Sequence, residues 1–215
     1  MATPSSAATS TGSSPGQSKP EAKPEAGEIG DVELVRRLRK GDAEAGNQLV
    51  RRHTPALLAF LRKSTGKPHL AEDLHQATWA SALQHLPNFD EKRLPADSRD
   101  GAFKAWLFRI AANKTRDYFR SSGRARRHGK AFAEEAPLHE NPSPSVDQAE
   151  RDRQLREAID KLPPAQKEVV VLRYYAQMKF TDVAAVVGCP LNTALGRMHK
   201  AAQKLRAMLG EDFLQ

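Results

Sequence analysis

The chain has 215 residues and a single cysteine, Cys189. An intramolecular disulfide and a cysteine metal cluster are therefore excluded. No apolar run approaches the ~20 residues of a membrane-spanning helix, and no signal-peptide hydrophobic core is visible. Membrane insertion is not expected, and the cytoplasm is the expected compartment. Alternating β-branched stretches are scarce, which predicts a mostly helical fold. Enzyme motifs are also missing: there is no nucleophile elbow, Walker loop or glycine-rich dinucleotide turn. The seven histidines (His53, His69, His75, His85, His128, His139 and His199) include no pair at the spacing of a metalloprotease helix. Most stand next to polar or basic residues, and they read as surface or phosphate-facing groups. Neither a metal, a cofactor nor an enzymatic activity is expected.

One local scarcity is more informative. From Lys104 to Lys130 nine cations stand against one acid, Asp117, in a chain of formal net charge +8. The stretch Phe103 to Arg120, FKAWLFRIAANKTRDYFR, places Phe103, Trp106, Leu107, Ile110 and Ala111 at helical spacing, so one stripe is buried. Lys104, Arg109, Lys114, Arg116 and Arg120 lie on the other side. A solvated helix normally mixes signs; this one suits a polyanion. Tyr118 and Phe119, set among the cations, suit unstacked bases as well as phosphates. An ordinary core helix with a basic outer face accounts for the pattern too.

The remainder is organised around that helix. Residues 1–28 are rich in Ser, Thr, Ala, Pro and Gly with no aromatic, a composition that reads as a disordered tail. Asp31 is a candidate N-cap for a short helix carrying Leu34, Val35 and Leu38, which Gly41 ends. Asp42 caps a longer helix, in which Pro55 predicts a kink or a split. A third helix runs from about Leu70 to Leu86, with Leu70, Leu74, Ala77, Leu83 and Leu86 facing inward and Glu72, Asp73 and Gln76 on the other side. Those acids are either dipole partners of the helix start or a docking surface. A polar loop, 87–100, leads into the basic helix; such a loop suits a flipped base. From Ala131 to Asp152 six acids face one cation, and Pro137, Pro142 and Pro144 break any helix, so this is an acidic linker.

Beyond the linker, Leu155, Ile159 and Leu162 form a helix ended by Pro163-Pro164, and Ala165 to Tyr175 forms another. Thr181 or Asp182 starts a short helix through Val187. Gly188-Cys189-Pro190-Leu191 is a tight turn, and a longer helix starts near Asn192 or Thr193. Ala194, Met198, Ala201, Leu205 and Met208 face the core there, and Arg197, Lys200 and Lys204 face out. Short helix, glycine turn and basic second helix make a helix-turn-helix, although an ordinary helical hairpin shares the pattern.

Four stretches in this order, DVELVRRLRKGDAEA, AEDLHQATWASALQHLPNF, FKAWLFRIAANKTRDYFR and the C-terminal run from KLPPAQKEVVVLRYY to HKAAQKLR, resemble the bacterial sigma-70 family, in its short extracytoplasmic-function class. The resemblance implies an all-α fold of two small helical domains joined by the acidic flexible linker: a disordered tail (1–28), a sigma-2-like domain (29–128), the linker (129–152) and a sigma-4-like domain (153–215). It implies binding to core RNA polymerase and promoter-specific initiation, with an anti-sigma factor as a further partner. Glu72, Asp73, Leu74 and Gln76 match the polymerase-docking motif. Lys104, Trp106, Arg109, Asn113, Lys114, Arg116, Tyr118 and Arg120 fall on the −10 DNA-binding helix. Thr181, Asn192, Thr193, Arg197, His199 and Lys200 fall on the −35-binding helix-turn-helix. The chain departs from the family there: where members commonly carry Val-Lys-Ser-Arg, it has Ala194-Leu195-Gly196-Arg197. Leu195 removes a cation and offers a contact for a thymine methyl, and Gly196 costs about 1 kcal/mol of helix propensity relative to Ala. A stand-alone helix-turn-helix regulator is the alternative function; it explains the C-terminal half but not the first.

Overall fold

The computed structural model describes residues 29–90, 101–127 and 146–210, the side chains of 124–127 and 146–149 excepted. The expected tail, most of the polar loop (91–100) and most of the acidic linker (128–145) lie outside the described residues. Among the described residues all regular structure is helical: α1 (Asp31–Arg39), α2 (Ala43–Thr65), α3 (Pro68–His85), α4 (Ala102–Arg127), α5 (Val146–Asp160), α6 (Pro164–Tyr174), α7 (Phe180–Val187) and α8 (Leu191–Leu209), with a 3₁₀ turn at Leu86–Asn88.

Asp31 is the first residue of α1 rather than its cap; Gly30 holds that position without a side-chain bond. The carboxylate is drawn inward. It accepts from Nη1 of Arg52 at 2.7 Å and lies 2.7 Å from Nε2 of His53. Burial opposes its ionisation, but His53 and Arg52 outweigh that and hold its pKa below the ordinary value. Asp42 caps α2 as expected, accepting from the amides of Glu44 and Ala45 at 3.1 and 3.2 Å. Pro55 does not split the helix, which runs unbroken for 23 residues. Pro55 faces solvent, where water can satisfy the carbonyl its ring leaves unbonded.

α3 begins at Pro68, whose fixed φ and absent N–H suit a first helical position. Its buried face is Ala71, Leu74, Thr78, Trp79 and Ala82, one helical stripe. Leu83, expected inward, is 51 % exposed. The stripe through Trp79 takes the core-facing side, and Leu83 falls beyond its edge. Arg39 of α1 fixes the 3₁₀ turn: it donates to the carbonyls of Leu86 (2.7 Å) and Phe89, and its guanidinium lies 5.9 Å from the Phe89 ring centroid.

α5 starts at Val146, inside the stretch that composition reads as linker. Pro163 and Pro164 then close one helix and open the next, as N-cap and first residue of α6. α2 packs on α3 and α4, α6 on α8, and α7 on both α8 and α4. The two halves therefore touch, through α4–α7 and α2–α6, and one contiguous core contains residues of both. Phe60, Phe103 and Phe108 are its largest fully buried side chains, each contributing roughly 1.5–3 kcal/mol of burial.

Candidate nucleic-acid interface

Three helices, α3, α4 and α8, carry the residues singled out by the sequence, apart from Thr181 on α7. On α3, Glu72, Asp73 and Gln76 are exposed, and Leu74 is buried beneath them. Glu72 lies 3.6 Å from Nη2 of Arg62 on α2, an exposed pair of little energetic weight. The helix is positioned from below. Trp79 donates its indole N–H to Nε2 of His75 at 3.1 Å, and the Thr54 hydroxyl is 3.1 Å from the same nitrogen. His75 is thus an acceptor carrying its proton on Nδ1, and burial pushes its pKa down. His53 and His75 are structural groups, not the surface or phosphate-facing ones expected. His53 is defined by Asp31, 22 residues away, which no local pattern reports; His75 shares an i, i+4 spacing with Trp79, but its second partner, Thr54, is 21 residues away.

On α4 the expected stripe is present: Phe103, Leu107 and Ala111 are buried, with Trp106 and Ile110 packed against the core. Trp106 sits 5.3 Å from Phe89 and 5.8 Å from Phe103, ring centre to ring centre. The base of the polar loop is thereby fixed against the helix it precedes. Arg109, Asn113 and Arg120 are exposed, while Lys104, Lys114 and Tyr118 are half-buried. Phe119 is exposed and meets Tyr118 edge-on at 5.6 Å.

A second buried stripe was not legible. Ala105, Phe108 and Ala112 are also buried. Their line runs from Gly101 to Arg116, and both of those residues touch α7. A Cβ on Gly101 would sit 3.2 Å from Oδ2 of Asp182, and Arg116 donates to the Val186 carbonyl at 3.4 Å. The signal lay in two alanines and a phenylalanine at i, i+3 and i+7. Arg116 also donates through Nε to Glu168 of α6 at 3.1 Å and through Nη1 to Asn113 at 2.8 Å. Burial pushes the Glu168 carboxyl up; Arg116 and Arg197 oppose that shift.

The helix-turn-helix is α7, the turn and α8. Gly188 is left-handed at φ 74°, and its amide and that of Cys189 both bond to the Ala184 carbonyl, at 2.9 and 3.0 Å. α8 starts at Leu191 with Pro190 in the cap position, so Asn192 and Thr193 are first-turn residues rather than caps. Both are exposed, as are Leu195, Gly196, His199 and Lys200; Arg197 and Thr181 are half-buried. Gln203 donates its amide to Nε2 of His199 at 3.0 Å. Ala194 and Ala201 are buried and Met198 and Leu205 pack on the core, but Met208, expected inward, is 42 % exposed and lines an open groove against Gln154, Glu157 and Ala158 of α5 and Lys161 just after it.

The model of sigma-70 region 2 matches residues 49–125, and that of sigma-70 region 4 matches residues 152–205. The RNA polymerase sigma factor CarQ of Myxococcus xanthus is 31 % identical over 179 residues, 82 % of this chain and 96 % of its own. The chain belongs to the sigma-70 family. It is an extracytoplasmic-function sigma factor, similar also to the ECF sigma-E factor of Haemophilus influenzae (25 % identity, 84 % of this chain and 95 % of the relative). Among solved structures, the sigma factor RpoE of Bartonella quintana, in complex with the anti-sigma factor NepR, superposes with a TM-score of 0.63 at 28 % identity, over 77 % of this chain and 97 % of that one. As a sigma factor the protein binds core RNA polymerase and directs it to promoters; it has no catalytic activity of its own. A stand-alone regulator is not favoured, because the region-2 half has no role in one. No helix among the described residues is long and apolar enough to cross a membrane.

Proposed function

We propose a division of labour among the three helices. α3 docks on core polymerase through Glu72, Asp73 and Gln76, with Leu74 and Trp79 holding its underside. α4 takes the melted −10 strand, with Arg109, Asn113 and Arg120 on phosphates and the Trp106–Phe89 and Tyr118–Phe119 pairs offering surfaces to bases. Lys104, Lys114 and Arg116 extend that face; Arg116 becomes available when its bonds to Glu168 and Val186 open. α8 enters the −35 major groove with Asn192, Thr193, Arg197, His199 and Lys200, and Thr181 of α7 lies against the backbone. The domains are the sigma-2-like 29–128 and sigma-4-like 153–215, and the protein works in the cytoplasm, where core polymerase is. The observation that carries this reading is the separation of charge: exposed acids on α3, and exposed cations on α4 and α8.

The test is run-off transcription with core polymerase on a pooled promoter library, with and without the chain. New start sites sharing −10 and −35 elements support the assignment. Tight duplex binding without polymerase dependence overturns it. Asp73→Arg abolishes holoenzyme formation while leaving the fold intact, since Asp73 is exposed.

RpoE is solved in complex with an anti-sigma factor; here such a partner covers the faces that dock polymerase. An inhibitor complex leaving both docking faces free refutes that part.

A further inference from the structure

Three neighbouring residues of α8 have no explanation within the chain. Leu191 and Leu195, one helical turn apart, are each 41 % exposed and stand outside the apolar core. Gly196, beside Leu195, is helical and exposed, and a methyl group built on it meets nothing within 4 Å. Packing therefore demands no glycine there, and helix propensity disfavours it. The three lie in the N-terminal half of the second helix of a helix-turn-helix, the part that contacts base edges. The same helix carries cations further along and on another side: Arg197 half-buried, Lys200 and Lys204 exposed. A helix that exposes an apolar pair on one side and cations on another matches a partner that is polyanionic outside and carries methyl groups within. The major groove of DNA is such a partner, because thymine presents its C5 methyl there.

We propose that Leu191 and Leu195 are specificity-determining residues that read thymine methyls in the −35 element, and that Gly196 lets the α8 backbone approach the base edges closely enough for both to seat. The proposal rests on α8 being the −35-binding helix. Readout at these positions is apolar, in place of hydrogen bonds from a longer polar side chain. It is indifferent to the hydrogen-bonding edge of the base and sensitive to one methyl group. Binding there also contributes less to the salt dependence than a lysine at position 195 would.

The experiment uses holoenzyme assembled from core polymerase and the full chain. Its affinity is measured for a promoter duplex taken from its own start sites, in which each −35 thymine is replaced in turn by deoxyuridine. That replacement removes only the C5 methyl. The expected result is a loss of roughly fourfold per methyl read, at one or two positions. Leu195→Ala or Leu191→Ala weakens the thymine duplex by a similar factor and abolishes the penalty for deoxyuridine at its own position. Gly196→Gln weakens the thymine duplex and abolishes the penalty for deoxyuridine at every position. If scrambling the −35 element costs affinity but no deoxyuridine replacement does, methyl reading is overturned and the −35 assignment stands. If scrambling costs nothing, the assignment of α8 falls with it. Loss of holoenzyme assembly by Leu195→Ala, with promoter preference unchanged, overturns the proposal in favour of a protein partner for the pair.

Discussion

α4 and α8 are both basic helices, yet they are held in opposite ways. α4 is buried on two sides, by Phe103, Leu107 and Ala111 along one stripe and by Ala105, Phe108 and Ala112 along another; Phe108 meets Phe60 of α2 at 5.6 Å between ring centres, and the helix also packs on α3 and α7. α8 buries only Ala194 and Ala201 fully and leaves Leu191, Leu195 and Met208 more than a third exposed. A helix clamped on two faces has its free face fixed by its neighbours. A helix resting on one shallow stripe keeps most of its circumference for a partner. The first arrangement suits a platform over which a single strand is laid; the second suits a probe inserted into a groove.

The sharpest way to break this contrast is in the core. Phe108→Ala should cost about 3–5 kcal/mol in urea unfolding, whereas Leu195→Ala should stay within about 0.5 kcal/mol. Comparable losses at the two positions would mean that α8 is held far more tightly than its burial indicates.

The two glycines sharpen it next. Gly196→Ala should stabilise by up to about 1 kcal/mol, since the added methyl has open space. Gly101→Ala should destabilise by roughly 1 kcal/mol, because its methyl meets the Asp182 carboxylate at 3.2 Å. Thermal melts of both variants check the opposite signs.

The halves also differ in their response to acid. His75 has a lowered pKa, so its contribution is present above the ordinary histidine value of about 6.5 and is lost as pH falls through the folded pKa. The melting temperature should drop on acidification below that value, and His75→Gln should flatten the drop. Glu168 has a raised pKa, so its contribution is present below the ordinary glutamate value and lost as pH rises through the folded one. Glu168→Gln should therefore leave stability unchanged in acid and raise it slightly near neutrality. A fall at neutral pH would show that the pair with Arg116 outweighs the burial.

The smallest effect is expected at Arg197, which is half-buried and already feels Glu168. Arg197→Ala should weaken promoter-duplex binding and reduce the salt slope by about one. Binding titrations at several salt concentrations test it, and an unchanged affinity removes Arg197 from the interface.

Much of this was legible in the chain. The caps and turns at Asp42, Gly41 and Gly188 follow from local backbone chemistry, and the structure has them where the sequence puts them. The primary stripe of α4 and the exposure of Glu72, Asp73 and Gln76 follow from helical periodicity. What periodicity missed shares one cause. Asp31 left its cap because His53 and Arg52, more than 20 residues on, offered stronger partners. Leu83 faces out because Trp79 and Ala82 won the inward side of α3. Arg116 bends away from a free basic face because Glu168 and Val186 come to meet it.

The sequence by itself determined where most helices lie within a turn or so, the sign of the exposed faces of α3, α4 and α8 and the family of the protein, although α4 runs on to Arg127 and α5 starts back at Val146. These depend on interactions within about four residues or on composition, and a linear pattern records them. Only the tertiary structure decided which neighbours the apolar stripes of α4 meet, that His53 donates to a buried carboxylate, and which cations are already engaged. Those outcomes depend on groups 20 to 70 residues apart competing for the same buried space, and no local periodicity encodes the winner.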